Sequence, residues 1–504
     1  MMLKDSGRVE AFHLEPFTMV IFGGTGDLTK RKLLPALFHL YQDNQFSKGF
    51  TVLSLARSKM TDQEYRHFIK EAVRTFHEGP FNERQWNEFS QHLFYLSGAF
   101  GEDDSYRKLC EKVDQIFIPG VQGTKEIIYY LAVPPEFTPI VVEKLENRDL
   151  CKGNFNSKII VEKPFGRDYS SAVELNKILR KAFDEHQIYR IDHYLGKEPV
   201  QNITFFRFAN SIFEQVWNRY FIDNVQITVA EDLGIEHRSA FYEQSGVVRD
   251  IVQNHILQLI GLVAMEPPTG FESESIRDEK GKVFRSISPM DEAYVDRFTV
   301  RGQYGPGKVG GQDVPGYREE EGVPPDSNTP TFFAAKFHIE NWRWAGVPFY
   351  IRTGKRLPKR ITEIAIVFRH PPLKLFGKAS DFLEPNILLW TIQPDEKIAL
   401  RFNVKYPYSD DQIYPANMLL NYQETFKMTY HDPYERLLID CVKGDLSLFA
   451  RQDGVEAMWE IVDPIMARWD SFPSRDFPNY AAGTWGPPEA DALMKREGRH
   501  WVTL

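Results

Sequence analysis

"FTMVIFGGTGDL", residues 17–28, runs from a short apolar strand into a glycine turn, and "TKRKLLPALFHLYQDNQF", residues 29–46, continues from that turn with a helical period. "FTVLSLA", residues 50–56, is a second strand, so the order is strand, turn, helix, strand, which is a βαβ unit. Two more apolar runs, "EIIYYLAVPP" at 126–135 and "SKIIVEKPFG" at 157–166, end in turn or functional residue types, as parallel strands of a doubly wound sheet do.

Beyond residue 195 the pattern changes. "NVQITVAED", "EIAIVFRH", "NILLWTIQP" and "KIALRFNV" have strand propensity and partial alternation, without regular helices between the later ones, which predicts an antiparallel sheet. "GVVRDIVQNHILQLIGLVAM", residues 246–265, interrupts it with a helical period, and the Pro/Gly-rich stretch 302–330 reads as a long surface excursion. The expected fold class is α/β plus α+β. An N-terminal Rossmann-like doubly wound domain, residues 1–195, precedes a larger α+β domain, residues 196–504, built on a mainly antiparallel sheet with helices.

The 504-residue length fits two sizeable domains, and 42% hydrophobic, 26% charged and 14% aromatic residues describe a globular chain. A net charge of -9 argues against a general nucleic-acid surface, so an anionic ligand needs local cations. Cys110, Cys151 and Cys441 lie far apart with no CxxC pair, giving neither a zinc site nor a disulfide framework, and fit a reducing compartment. The N-terminal residues 1–17 have no apolar signal core, and the longest apolar run, 256–265, is too short to span a bilayer, so the expected location is cytoplasmic, with no membrane partner.

Several positions carry chemistry. Gly23, Gly24 and Gly26 between strand and helix either let backbone amides approach a phosphate or only make a tight βα connection. Arg57 ends the second strand, where the alternatives are a solvated arginine and a guanidinium reading a ribose 2'-phosphate. On an α-helical period Val248, Val252, His255, Leu259 and Leu262 share one face, so His255 is either a hydrogen-bonded core histidine or, given Arg249, Asp250, Gln253 and Asn254 beside it, a partly buried general base. Lys163 stands at a strand end, where a doubly wound sheet meets ligand, and Lys355 and Arg360 flank a second turn; all three are alternatively surface charge. "RIDHYLGKE", residues 190–198, crowds six ionisable residues into nine; Gly196 is read as a turn and Pro199 as disfavouring helical continuation at Glu198.

"FGGTGDLTKRKLLP", "EKPFG", "RIDHYLGKE", "RDIVQNH" and "GVPFYIRTGKRLP" occur together in this order, and with them the chain resembles the glucose-6-phosphate dehydrogenase family from near the N-terminus to "AAGTWGPPEAD" at 481–491. The resemblance implies oxidation of D-glucose 6-phosphate to 6-phospho-D-glucono-1,5-lactone, with hydride transfer to NADP, at the entry to the pentose phosphate pathway. It implies His255 as base and Asp192 as its carboxylate partner. His193, Tyr194 and Lys197 match phosphate ligands, Lys355 and Arg360 further basic contacts, and Glu231 and Asp250 carboxylates that hold sugar hydroxyls. Lys163 matches a lysine between substrate and nicotinamide; Gly23, Gly24, Thr25, Gly26, Asp27 and Leu28 match the cofactor turn, and Arg57 with Ser58 the 2'-phosphate end.

NAD is a weaker alternative cofactor, and no metal is implied. A homodimer or homotetramer formed through the face of the large sheet is the expected assembly. Some members bind a second, structural NADP; Arg352 and Asp432 match parts of that site, but Thr391 stands where an arginine is needed, so the resemblance does not extend to it. Short-chain dehydrogenases also begin with such a glycine turn, but they require a helical YxxxK, and the match at Tyr304 to Lys308 has a Gly-Pro-Gly interior that no regular helix accepts. A nucleotide-binding scaffold without catalysis is disfavoured because base, carboxylate and lysines are all present.

Overall fold

The computed structural model describes residues 14–46, 49–77, 79–117, 125–147, 155–373, 375–409, 412–427 and 432–502. The N-terminal segment read above up to residue 13, and Cys151, lie outside them; Cys110 and Cys441 form no disulfide among the described residues.

Strands β1 (Phe17–Phe22), β2 (Phe50–Ala56), β3 (Leu93–Ser97), β4 (Lys125–Leu131), β5 (Phe155–Val161) and β6 (Ile188–Ile191) form a parallel sheet in the order 6-5-4-1-2-3. This is the doubly wound arrangement, with its switch point between β1 and β4. β1 and β2 are buried along their whole length, which is why they read as continuous apolar runs.

β7 (Ile222–Ala230), β8 (Thr299–Gly302), β12 (Phe332–Phe337), β13 (Phe349–Gly354), β14 (Ile361–Phe368), β15 (Ile387–Gln393), β16 (Lys397–Lys405) and β17 (Ile413–Asn421) form the second sheet, in the order 17-16-15-14-7-13-12-8. Every pairing in it is antiparallel except β7 with β13. Three more short pieces complete the chain: the hairpin of β10 (Gly307–Val309) and β11 (Gln312–Val314), the parallel pair β9 (Tyr304–Gly305) and β19 (Tyr480–Ala481), and β18 (Phe449–Ala450). β18 joins the first sheet, antiparallel to β6, so residues from near the C-terminus finish a sheet begun at residue 17.

Two expectations are corrected. Pro199 does not stop a helix: Glu198–Ala209 is one, and the proline sits in its first turn, where a missing amide costs nothing. Gly196 lies in a turn as expected, closed by the Lys197 amide donating to the Tyr194 carbonyl at 3.1 Å, and a Cβ there would lie 2.7 Å from the carbonyl oxygen of Pro433, so the helix Pro433–Lys443 also requires a small residue. The stretch 302–330 is no free excursion, because Tyr304 and Tyr317 are fully buried and their hydroxyls donate to Glu320 and Glu243. Among the described residues no helix is long and apolar enough to cross a membrane.

Candidate active site

The glycine turn closes the C-terminal end of β1. Gly23 has φ +93°, and a Cβ there would fall 2.1 Å from the carbonyl oxygen of Ala132 beyond β4, so the turn fits under β4 only as glycine. The amides of Gly23 and Gly24 donate to Leu55, and that of Gly26 to Gly23. Those donors are spent on β2 and the turn, whereas the amides of Thr25 and Asp27 have no backbone partner among the described residues. The side chain of Asp27 pairs with Arg31 at 2.9 Å, and Leu28 is half-buried at the helix start. Arg57 and Ser58 are exposed just past β2, beside β1; the Ser58 carbonyl accepts from Tyr95 and Ser97, which fixes the backbone that carries Arg57.

Lys163 follows β5, and Asp192 to Lys197 follow β6, so both emerge at the same sheet edge as the glycine turn. The segment Val248–Ile256 that faces them is a π-helix, which corrects the α-helical face drawn above: with the wider turn, Val248 and every residue from Ile251 to Ile256 are buried, and no single apolar stripe exists. Asn254 stabilises this backbone from within, its amide donating to the Arg249 carbonyl and its oxygen accepting from the His255 amide.

His255 is 1% exposed and its Nδ1 lies 2.5 Å from Asp192 Oδ1. The Asp192 partner assigns the ring proton to Nδ1, so Nε2 is the free base, 2.9 Å from Lys163 Nζ. Burial lowers the His255 pKa and the Lys163 charge lowers it further, against the raising effect of Asp192. Asp192 shows the opposite balance: burial raises its pKa, but His255, His193 and Lys163 outweigh this and hold the carboxyl ionised. Lys163 also donates to the Asp250 carbonyl at 3.0 Å and lies 3.5 Å from its carboxylate. For Asp250 burial is likewise outweighed, by Lys163 and Lys355, and its pKa is lowered.

The remaining candidates gather around this dyad. Tyr194 stacks on His255 with ring centroids 4.1 Å apart, and His193 meets the same ring edge-on at 4.6 Å. Burial, the neighbouring His255 ring and the cations Lys163 and Lys197 keep His193 neutral. Lys197 donates to Gln393 at 2.8 Å, and burial followed by the charge of Arg360 brings its pKa down to about 8, so Arg360, though exposed, acts on the same spot. Lys355 bonds Glu231 at 2.5 Å and sits 5.1 Å over the Tyr242 ring.

Sequence reading missed Gln393, Thr362 (3.3 Å from the Tyr194 hydroxyl) and Tyr242. They come from strands and helices far away in the chain, and nothing in their local sequence marks them. Asp192, His193 and His255 each offer a ligand atom within 4.8 Å of one another. The short Asp192 bond takes up Nδ1, and the Lys163 ammonium faces Nε2.

A cleft of about 1080 Å³ opens beside the dyad between the ends of β4 and β5 and the π-helix, lined by Pro134, Val161, Lys163, Arg249, Asp250 and Asn254 among others. A buried acid–base pair joined to such a cleft by Lys163, at the same sheet end as the glycine turn of a doubly wound sheet, is the arrangement of a nicotinamide-dependent oxidoreductase acting on CH–OH groups.

Two family models cover nearly the whole chain: "Glucose-6-phosphate dehydrogenase, NAD binding domain" over residues 20–202 and "Glucose-6-phosphate dehydrogenase, C-terminal domain" over 204–502. Glucose-6-phosphate 1-dehydrogenase of Chlamydia pneumoniae is 44% identical over 500 residues, covering 97% of this chain and 96% of the relative. That of Rhizobium meliloti is 43% identical over 495 residues, with 97% and 98% covered. A solved "Glucose-6-phosphate dehydrogenase in complex with its substrate glucose-6-phosphate" superposes with a TM-score of 0.87 at 34% identity, over 97% of this chain and 99% of that one. The chain belongs to the glucose-6-phosphate dehydrogenase family.

Proposed function

We propose that the protein oxidises D-glucose 6-phosphate to 6-phospho-D-glucono-1,5-lactone with NADP as hydride acceptor, the first step of the oxidative pentose phosphate pathway. The observation that carries the reading is the His255–Asp192 bond of 2.5 Å, which leaves Nε2, 2.9 Å from Lys163 Nζ, as the unprotonated ring nitrogen.

Residues Gly23 to Leu28 would hold the diphosphate of the dinucleotide, whose nicotinamide, when bound, would supply the acceptor for the hydride that leaves carbon 1. His255 Nε2 takes the proton of the carbon 1 hydroxyl, and the Asp192 carboxylate stabilises the imidazolium so formed. Loss of that proton and that hydride leaves a carbonyl, which is the lactone. Lys163, between the cleft and Nε2, holds the carbon 1 end of the sugar, while Asp250, Glu231 and Lys355 take its other hydroxyls. His193, Tyr194, Lys197 and Arg360 form the phosphate end; a neutral His193 donates a hydrogen bond there and the cations supply charge.

The turn fits a dinucleotide, since a Cβ at Gly23 would fill the cradle. Arg57, exposed at the end of β2, favours a ribose 2'-phosphate, hence NADP, with NAD the weaker alternative. Thr391 is buried, and Arg352 lies between the rings of Trp485 and Trp501, 4.5 Å from each, so neither is free for a second nucleotide. Exposed Tyr414, Met418 and Leu419 on β17 favour pairing of copies through the large sheet as a homodimer or homotetramer, which light scattering distinguishes.

The test is nicotinamide reduction, followed by absorbance, with glucose 6-phosphate against free glucose and with NADP against NAD. Turnover that needs the phosphate ester and prefers NADP supports the reading; absence of turnover with glucose 6-phosphate contradicts it.

A further inference from the structure

Lys280 is a buried cation that the chemistry above does not use. It lies on the helix Ser273–Arg285, is 3% exposed, and makes no hydrogen bond or ion pair among the described residues. A buried ammonium without a partner is costly and calls for a reason. A complementary gap exists at the dyad. Asp192 Oδ1 accepts both from His255 Nδ1 and from the Tyr194 amide at 3.0 Å, whereas its buried Oδ2 accepts from no group.

Packing brings the lysine inward. The helix Leu257–Ala264, which continues the His255 segment, has Gly261 where Lys280 crosses: a Cβ there would lie 3.5 Å from Lys280 Cγ and 3.0 Å from the Phe284 ring. Glycine in a helix interior is unfavourable, and here it admits the lysine stem and the ring. Burial brings the Lys280 pKa down to about 8; Asp192 is the carboxylate that opposes this, and Arg277, itself paired with Glu274, adds to the lowering. The titratable groups acting on the dyad are therefore the charged Lys163 after β5 and Asp250 on the π-helix, the neutral His193 beside Asp192, and Lys280 on the Ser273–Arg285 helix, where Arg277 in turn acts on Lys280.

We propose that Lys280 is a positioning residue for the Asp192–His255 dyad: acting through the low-dielectric interior rather than by a direct ion pair, its ammonium holds the free Oδ2 of Asp192 and so keeps Oδ1 aimed at His255. The role deepens the dehydrogenase reading and rests on it.

Lys280→Met keeps the stem and removes the charge. With glucose 6-phosphate and NADP, kcat is to fall about tenfold with KM nearly unchanged, a loss of the size that members of one charged network show. The acid limb of kcat/KM is to move to higher pH, because the His255 imidazolium loses a cation that repels it. Lys280→Arg, which keeps the charge, is to restore both in part. A readout independent of turnover is the downfield proton resonance of His255 Nδ1–H, assigned by its loss in His255→Asn; Lys280→Met is to shift it.

Should Lys280→Met not fold, Gly261→Ala, which displaces the lysine stem and keeps the charge, is to move the same resonance in the same direction. Unaltered kcat, acid limb and resonance in Lys280→Met overturn the proposal, as does an unaltered resonance in a folded Gly261→Ala when that is the variant in hand. Wild-type inactivity on glucose 6-phosphate would instead remove the dehydrogenase reading, while the resonance still decides the role of Lys280.

Discussion

His255 and Asp192, 63 residues apart in sequence, meet through a 2.5 Å hydrogen bond in which both side chains are buried. One partner arrives on a π-helix and the other just past the end of β6, so the dyad joins a strand end of the first sheet to a helix of the C-terminal region. Its geometry fixes which ring nitrogen is the base.

Asp192→Asn keeps the shape but removes the charge that stabilises the imidazolium and the acceptor that fixes the tautomer. The expected result is a kcat lower by roughly 10²- to 10⁴-fold with KM for glucose 6-phosphate changed little. Steady-state kinetics with NADP saturating checks it.

The two neighbouring histidines are expected to separate kinetically. His193→Asn, at the phosphate end, raises KM for the sugar phosphate and leaves kcat within a few-fold, whereas His255→Asn abolishes kcat. The reverse pattern would exchange their roles.

Lys197 carries a pKa brought down to about 8, so in the free enzyme it is charged at neutral pH and loses its proton as pH rises through that value. KM for glucose 6-phosphate is therefore expected to rise on the alkaline side of pH 8. Lys197→Met is expected to raise KM at pH 7 by roughly 10- to 100-fold, the equivalent of one charge-assisted hydrogen bond, and to remove that alkaline dependence. The acid limb of kcat/KM belongs to His255, whose burial and Lys163 neighbour lower its pKa from 6.5, so this limb is expected below pH 6.5.

Arg57→Ala is expected to weaken NADP binding far more than NAD binding, measured as the two KM values at saturating sugar phosphate. Equal losses would mean that Arg57 does not read a 2'-phosphate.

Arg190, in the same nine residues as the dyad aspartate, is structural. It is fully buried, bonds Glu185 at 2.6 Å and Asn176 at 2.9 Å, and sits where β6 meets β18. Arg190→Met is expected to lower stability by about 3 kcal/mol in denaturant unfolding, the lower end for breaking a buried ion pair because Glu185 is partly hydrated, with kcat retained in the folded fraction.

Much of this was legible in the chain because the dinucleotide half is built from local units: β1, its glycine turn and β2 lie within 40 residues and their burial writes itself as apolar runs. Strands β3 and β6 were not, being short and flanked by helical sequence, and β18 could not be assigned to the first sheet because its partner lies about 260 residues earlier. The π-helical turn around His255 has the composition of an α-helix, so periodicity placed the histidine on a stripe that the wider turn dissolves. Pro199 marks a helix start where local rules name a stop, and Gly196, in the turn those rules name, is also held to a small residue by the tertiary partner Pro433, which no local signal shows. Gln393 reaches Lys197 from β15 and has no local signal at all.

The most direct test of the central claim, that His255 Nε2 is the base for oxidation at carbon 1, is the turnover of glucose 6-phosphate with NADP by the wild type and by His255→Asn, with binding of both ligands to the variant measured separately. The account predicts a variant that binds sugar phosphate and NADP with near wild-type affinity and has lost at least about 10²-fold in kcat. A His255→Asn enzyme with kcat within a few-fold of wild type would contradict it.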